Sequence, residues 1–71
     1  MHRYPVIIER AGKNYSAYSP DLPGCISTGA TLKETLSRMR TAIKYHLEGL
    51  KKEGSDIQEP STRVKYLEIS I

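Results

Sequence analysis

With 71 residues, eleven lysines and arginines against eight acidic residues, and a formal charge of +3, the chain has room for one small domain. A domain of this size buries only about 60% of the surface its unfolded chain exposes, so its core is thin and self-association is expected, as a dimer or tetramer. A single cysteine excludes an intramolecular disulfide framework and any cysteine-based zinc cluster, and no apolar run reaches the length of a membrane span or a signal-peptide h-region, which leaves a cytoplasmic location as the simplest expectation.

Taken in chain order, residues 3–10 place Tyr4, Val6 and Ile8 on one parity and Pro5 and Ile7 on the other. This β-branched run reads as a strand. Ala11, Gly12, Lys13 and Asn14 form a short glycine-bearing connection of the hairpin kind. A second strand over residues 15–19 sets Tyr15 and Ala17 against Ser16 and Tyr18. It breaks at Pro20-Asp21-Leu22-Pro23-Gly24. Two prolines that lock φ and a glycine that admits positive φ make this a rigid elbow. A third, apolar strand follows over residues 25–28.

From Leu32 the apolar period changes from two to 3.6, because Leu32, Leu36, Met39, Ile43, Leu47 and Leu50 fall at steps of three and four. Thr31 with Glu34 three residues on predicts a capping box. Gly54 after Lys51 and Lys52 predicts the helix end. Gly49 inside the helix has no reason in the sequence. Residues 52–62 are polar and hold Gly54, Ser55, Asp56, Pro60 and Ser61, the composition of a loop. Residues 63–71 read as a last strand, with Leu67, Ile69 and Ile71 on one side and Val64, Tyr66 and Glu68 on the other. The expected architecture is a single α+β domain over residues 1–71, with two layers and element order β-β-β-α-β. A right-handed crossover would set the last strand parallel beside the first, giving the spatial order 3-2-1-4 with the helix on one face.

Few residues suggest chemistry. Cys25 with His46 or His2 could pair a nucleophile with a base, but Cys25 opens an apolar strand with no cation near it in sequence, and a buried inert thiol is the expected state. The carboxylates do not cluster as a metal-dependent nuclease requires. Asp21 stands alone in the elbow, where an Asx-type bond to the following amides is its ordinary role. No phosphate-cradling glycine loop is present. The chain is therefore not expected to be an enzyme, and neither a cofactor nor a metal is expected. Arg38, Arg40, Lys44, Lys51 and Lys52 along the helix, with Arg63, Lys65 and five tyrosines, would suit an RNA-binding surface. They are interleaved with Glu34, Glu48 and Glu53, as on a solvated helix face. Tyr18, Tyr66 and Ile7 on the exposed sheet face are the groups expected to meet another chain.

Tyr15, Ala17, Tyr18, Asp21, Leu22, Pro23, Gly24, Cys25, Ser27, Gly29 and Thr31, then an amphipathic helix, then Ile57, Glu59, Pro60 and Ser61, resemble the N-terminal domain of HicB-type antitoxins. The resemblance spans nearly the whole chain, and the Asp-Leu-Pro-Gly-Cys elbow at its set distance before the helix-start threonine is its specific part. It implies a core similar to a curtailed ribonuclease H fold. It also implies a partner, a HicA-type mRNA-cleaving toxin that the antitoxin neutralises by steric occlusion, and self-association. The matched residues carry over chiefly as framework, and no catalytic residue transfers. Tyr18, Asp21, Leu22 and Tyr66 are expected to contact the partner. Family members that bind their own promoter continue into a helix-turn-helix or ribbon-helix-helix segment. This chain stops after the expected last strand, so DNA binding is not expected of it. Its basic charge also departs from the acidity expected in a partner of an RNA-cleaving enzyme. The competing reading is a small basic RNA-binding module without catalytic activity.

Overall fold

The computed structural model describes residues 2–71, and among them three strands precede one helix: β1 (Ile7–Ala11), β2 (Asn14–Tyr18), β3 (Ile26–Gly29) and α1 (Leu32–Lys52). β1 and β2 pair antiparallel with Ala11 opposite Asn14, which leaves Gly12 and Lys13 as a two-residue loop. Gly12 has φ of 60°, as the first loop position of a type II′ turn requires, and such a turn matches the twist of the strands it joins. β3 pairs antiparallel with β2 from Tyr15–Gly29 to Tyr18–Ile26, so the sheet order is β1-β2-β3. β1 starts at Ile7, later than the pattern suggests. Pro5 offers no amide to a ladder, and the residues before Ile7 run outside it.

Directly opposed residues share a sheet face. Ile8, Ala17 and Ser27 lie in one such row. Ala17 is buried in the core with Met39, and the Ser27 hydroxyl donates to the Thr35 carbonyl at 2.9 Å, so this face carries the helix. Ile7, Tyr18 and Ile26 form the matching row on the opposite face.

The helix begins on Thr31, whose Oγ1 accepts from the Glu34 amide at 3.1 Å. The reciprocal half of the expected capping box is replaced: the Glu34 carboxylate instead pairs with Arg38 one turn on. At the other end Gly54 takes φ of 73°. Its amide donates to the Lys51 carbonyl at 3.2 Å, and the Ser55 amide donates to the Leu50 carbonyl at 2.9 Å. These two bonds make a full Schellman closure, with Lys51 and Lys52 at the negative end of the helix dipole.

The buried line of the helix differs from the expected stripe. Thr35 and Met39 are its buried residues, with Ile43 and Leu47 packed against the core, whereas Leu32 and Leu36 are exposed. Gly29 explains the rotation, since a Cβ there would stand 2.6 Å from the Thr35 hydroxyl and 2.9 Å from its amide nitrogen. The helix rides on β3 at this glycine, and Thr35, bonded back to the Thr31 carbonyl at 2.8 Å, is the side chain pressed against the sheet. Ala17, Leu22, Cys25 and Met39 are the buried apolar residues, with Tyr4, Val6, Ile43 and Leu47 around them.

The expected fourth strand does not join the sheet. Residues 55–71 contain no helix, strand, turn or bend, and residues 61–71 are exposed throughout. The 3-2-1 part of the expected order is present, while strand 4 and its parallel pairing with β1 are not formed among the described residues. What is formed is a two-layer α+β unit, three antiparallel strands covered on one face by one helix.

Candidate protein-binding surface

The elbow is two β-turns in succession. The Leu22 amide donates to the Ser19 carbonyl at 3.2 Å, the Cys25 amide to the Leu22 carbonyl at 3.1 Å, and the Ser19 amide closes the loop on the Cys25 carbonyl at 3.3 Å. In the second turn Pro23 supplies the fixed φ and Gly24, at φ of 88°, supplies the left-handed position that a type II turn demands. The buried Ser19 hydroxyl donates to the Pro5 carbonyl at 3.1 Å, which ties the elbow to the chain entering β1. Leu22 points from the apex into the core and is fully buried. As an expected partner contact it is corrected: its side chain is core and presents no surface.

Asp21 also has a role other than the expected local turn bond. Its Oδ1 accepts from the Ser61 amide at 3.2 Å and hydroxyl at 3.0 Å, and from the Thr62 amide at 3.2 Å and hydroxyl at 3.0 Å. The carboxylate thus holds a segment 40 residues along the chain. Partial desolvation pushes its pKa up, but the hydrogen bonds from Ser61 and Thr62 outweigh this and leave it below the ordinary value of 3.8. Nearby the Tyr4 hydroxyl donates to the Gln58 carbonyl. Burial, then the Glu59 and Asp21 carboxylates, push the Tyr4 pKa up, so the phenol remains a donor. Between elbow and tail lies an open cleft of about 380 Å³ lined by Pro20, Asp21, Pro23, Gln58, Glu59 and Ser61.

The open sheet face carries the apolar surface. Tyr18 is 41% exposed and its cross-strand neighbour Ile26 is 69% exposed, with Ile7 completing the row. Ile26 is absent from the residues singled out in the sequence, yet strand alternation contains the signal: Cys25 is buried, so its neighbour faces away. Tyr66 is 94% exposed on the tail. Of the four expected contact residues, Tyr18 and Tyr66 present side-chain surface, Asp21 is engaged by Ser61 and Thr62, and Leu22 is core.

The other constellations do not assemble. Cys25 is a buried free thiol whose pKa is raised by desolvation. His2 sits instead beside Glu59, Nδ1 to Oε2 at 3.4 Å. Among the described residues no three histidine, cysteine or acidic side chains come together as a metal site, and no helix is long and apolar enough to cross a membrane. Arg38, counted among the basic helix residues, is spent on Glu34 and on the Thr28 carbonyl at 2.9 Å. The Arg10 guanidinium lies 5.7 Å from the centre of the Tyr15 ring.

A family model described as the HicB-like antitoxin of bacterial toxin-antitoxin systems matches residues 4–69. The chain is 33% identical over 64 residues to an uncharacterized 14.9 kDa protein of Haemophilus phage HP1, covering 90% of this chain and 48% of the phage protein, about half its length. It is 39% identical over 56 residues to the UPF0150 protein Ta0767 of Thermoplasma acidophilum, covering 78% of this chain and 81% of that one. Among solved structures it is similar to the N-terminal domain of the antitoxin HicB of Burkholderia pseudomallei, with a TM-score of 0.75, 33% identity, and coverage of 83% of this chain and 72% of that chain. It is also similar to a chain of the HicA3 and HicB3 toxin-antitoxin complex, with a TM-score of 0.63, 29% identity, and coverage of 87% and 70%.

Proposed function

Because the chain belongs to the HicB-like antitoxin family of bacterial toxin-antitoxin systems, we infer that it neutralises a small HicA-type ribonuclease toxin by covering that toxin's catalytic and RNA-binding surface. The complex of HicA3 with HicB3, whose chain this one resembles at a TM-score of 0.63, supports a toxin of that class as the partner. The observation that carries the reading is the row of Ile7, Tyr18 and Ile26 on the sheet face opposite the helix. An aromatic flanked by two β-branched side chains, rigid and half desolvated, is the composition of an interface centre, where a few buried anchors supply most of the binding energy.

The reading assigns no catalytic step to this chain. Inhibition needs only a fitted surface, and Asp21, Leu22, Pro23 and Gly24 act behind it, fixing the strands that present the row. RNA binding through the helix is the weaker reading, since Arg38 is engaged within the fold and Glu48 stands among the remaining cations.

The test is rescue of growth by this chain when a HicA-type toxin is co-expressed, together with inhibition of RNA cleavage by the purified pair. Tyr18→Asp with Ile26→Asp changes two exposed side chains, so helical circular dichroism should be kept. The expected result is loss of rescue and a binding constant weakened by at least about 100-fold, as loss of interface anchors gives. Full rescue by this folded variant would remove the sheet face from the mechanism. Salt-sensitive binding to RNA with no effect on a toxin would favour the RNA-binding reading.

A further inference from the structure

The open sheet face has a second row beside the apolar one, and this row is polar. Glu9 stands directly opposite Ser16, and Ser16 opposite Thr28, each two residues along its strand from Ile7, Tyr18 or Ile26. Side chains two apart on a strand share a face at a separation of about 7 Å, so the Glu9 row runs alongside the Tyr18 row. The next pair on this face, Ala11 and Asn14, carries no charge. Glu9 is therefore the one charged side chain that the three strands place there.

Glu9 is also uncommitted where other carboxylates of the fold are engaged. Asp21 holds Ser61 and Thr62, Glu34 pairs with Arg38, and Glu59 lies beside His2. No lysine, arginine or histidine among the described residues pairs with Glu9. Arg10, next to it in sequence, projects to the opposite face, with its guanidinium over the Tyr15 ring. Glu9 and Thr28 are exposed and Ser16 between them is half-buried. A carboxylate with two hydroxyls beside it is a set of acceptors suited to a guanidinium or an ammonium group.

We propose that Glu9, flanked by the Ser16 and Thr28 hydroxyls, receives a lysine or arginine side chain from the toxin's RNA-binding surface, while Ile7, Tyr18 and Ile26 cover the apolar ground beside it. This contact rests on the toxin-binding reading of the same face and names the partner group that the reading leaves open. A surface that holds RNA presents cations to the phosphates, and a chain of net charge +3 repels such a surface at a distance. Attraction has to come from a carboxylate at the point of contact, and the sheet face supplies one. Water excluded by the apolar row strengthens the pair. A toxin with a neutral or acidic group at that point would leave Glu9 desolvated and unpaired. Glu9 thus selects among toxins, and Tyr18 with Ile26 holds the one selected.

The experiment titrates the full chain against a purified HicA-type toxin at several salt concentrations. Glu9→Gln keeps the shape of the side chain and removes its charge. It is expected to weaken binding about 10-fold at low salt, by a margin that shrinks as salt is raised. Glu9→Lys is expected to weaken binding by at least about 100-fold, with helical circular dichroism and the unfolding midpoint unchanged because the position is exposed. Changing the toxin's surface lysines and arginines to glutamate one at a time should yield one variant that binds the Glu9→Lys chain and rejects the parent. Parent-like binding by Glu9→Gln and Glu9→Lys, with Tyr18→Asp and Ile26→Asp still disruptive, would overturn the ion contact and keep the face. A loss that no toxin variant restores would overturn the ion contact too. Parent-like binding by all of these variants, or a parent chain that binds no such toxin, would overturn the reading of the face and this contact with it.

Discussion

Two glycines of this chain sit in opposite circumstances. A Cβ on Gly29 would press to 2.6 Å from the Thr35 hydroxyl and 2.9 Å from its backbone nitrogen. Thr35 is fully buried and bonded to the Thr31 carbonyl, so it has nowhere to yield. Gly29→Ala is therefore expected to cost about 1–3 kcal/mol, the range for overpacking, measured by urea unfolding. Gly49 lies inside the helix at an ordinary helical φ, and a methyl group there would meet nothing within 4 Å. Gly49→Ala should accordingly stabilise the fold by up to about 1 kcal/mol in the same measurement. An unchanged midpoint in both would mean that the helix does not ride on β3 at Gly29. The two are indistinguishable as letters, since what separates them is the approach of a helix that no local pattern encodes.

At the scale of elements, Asp21 joins the elbow to the segment after the helix. Its carboxylate accepts from two amides and two hydroxyls of Ser61 and Thr62, which hold its pKa below 3.8 against the desolvation that opposes them. The native pKa lies below the unfolded one, so the stabilisation is full above the unfolded value and disappears as pH falls through the native value. Protection of the Ser61 and Thr62 amides, taken relative to the intrinsic exchange rate at each pH, is expected to fall below about pH 4. Asp21→Asn, which cannot ionise, should show fast exchange with no such acid transition. The meander, the elbow, the helix and its glycine closure were legible in the sequence, because each depends on neighbours within a few residues. Leu22 as core, Asp21 as a clamp, and the shift of the buried helix line to Thr35 were not, because each is decided by a contact from far along the chain. Residues 63–71 show the same division: their alternation reads as a strand, but they stand outside the sheet, because pairing depends on contacts that a local pattern does not contain.

At the scale of the whole molecule, the question is how a fold with so little interior holds together. Ala17, Leu22, Cys25 and Met39 are the buried apolar side chains among the described residues, and one of them is an alanine. Chains this short lie near the lower limit for independent folding, and association is the usual supplement. Apolar surface that the core lacks is carried instead on residues 64–71, where Val64, Tyr66, Leu67, Ile69 and Ile71 are exposed. Where copies associate, stability is linked to concentration by mass action, since assembly removes native chains from the unfolding equilibrium. A tenfold rise in concentration stabilises a dimer by about 1.4 kcal/mol, shared between two chains. For a domain of this length each kcal/mol moves the melting temperature by about 4–8 °C. Calorimetry at 10-fold steps is therefore expected to show the midpoint rising by about 3–6 °C per step. A midpoint independent of concentration in the parent chain would mean that the three-stranded unit is sufficient alone, with the tail a passive extension.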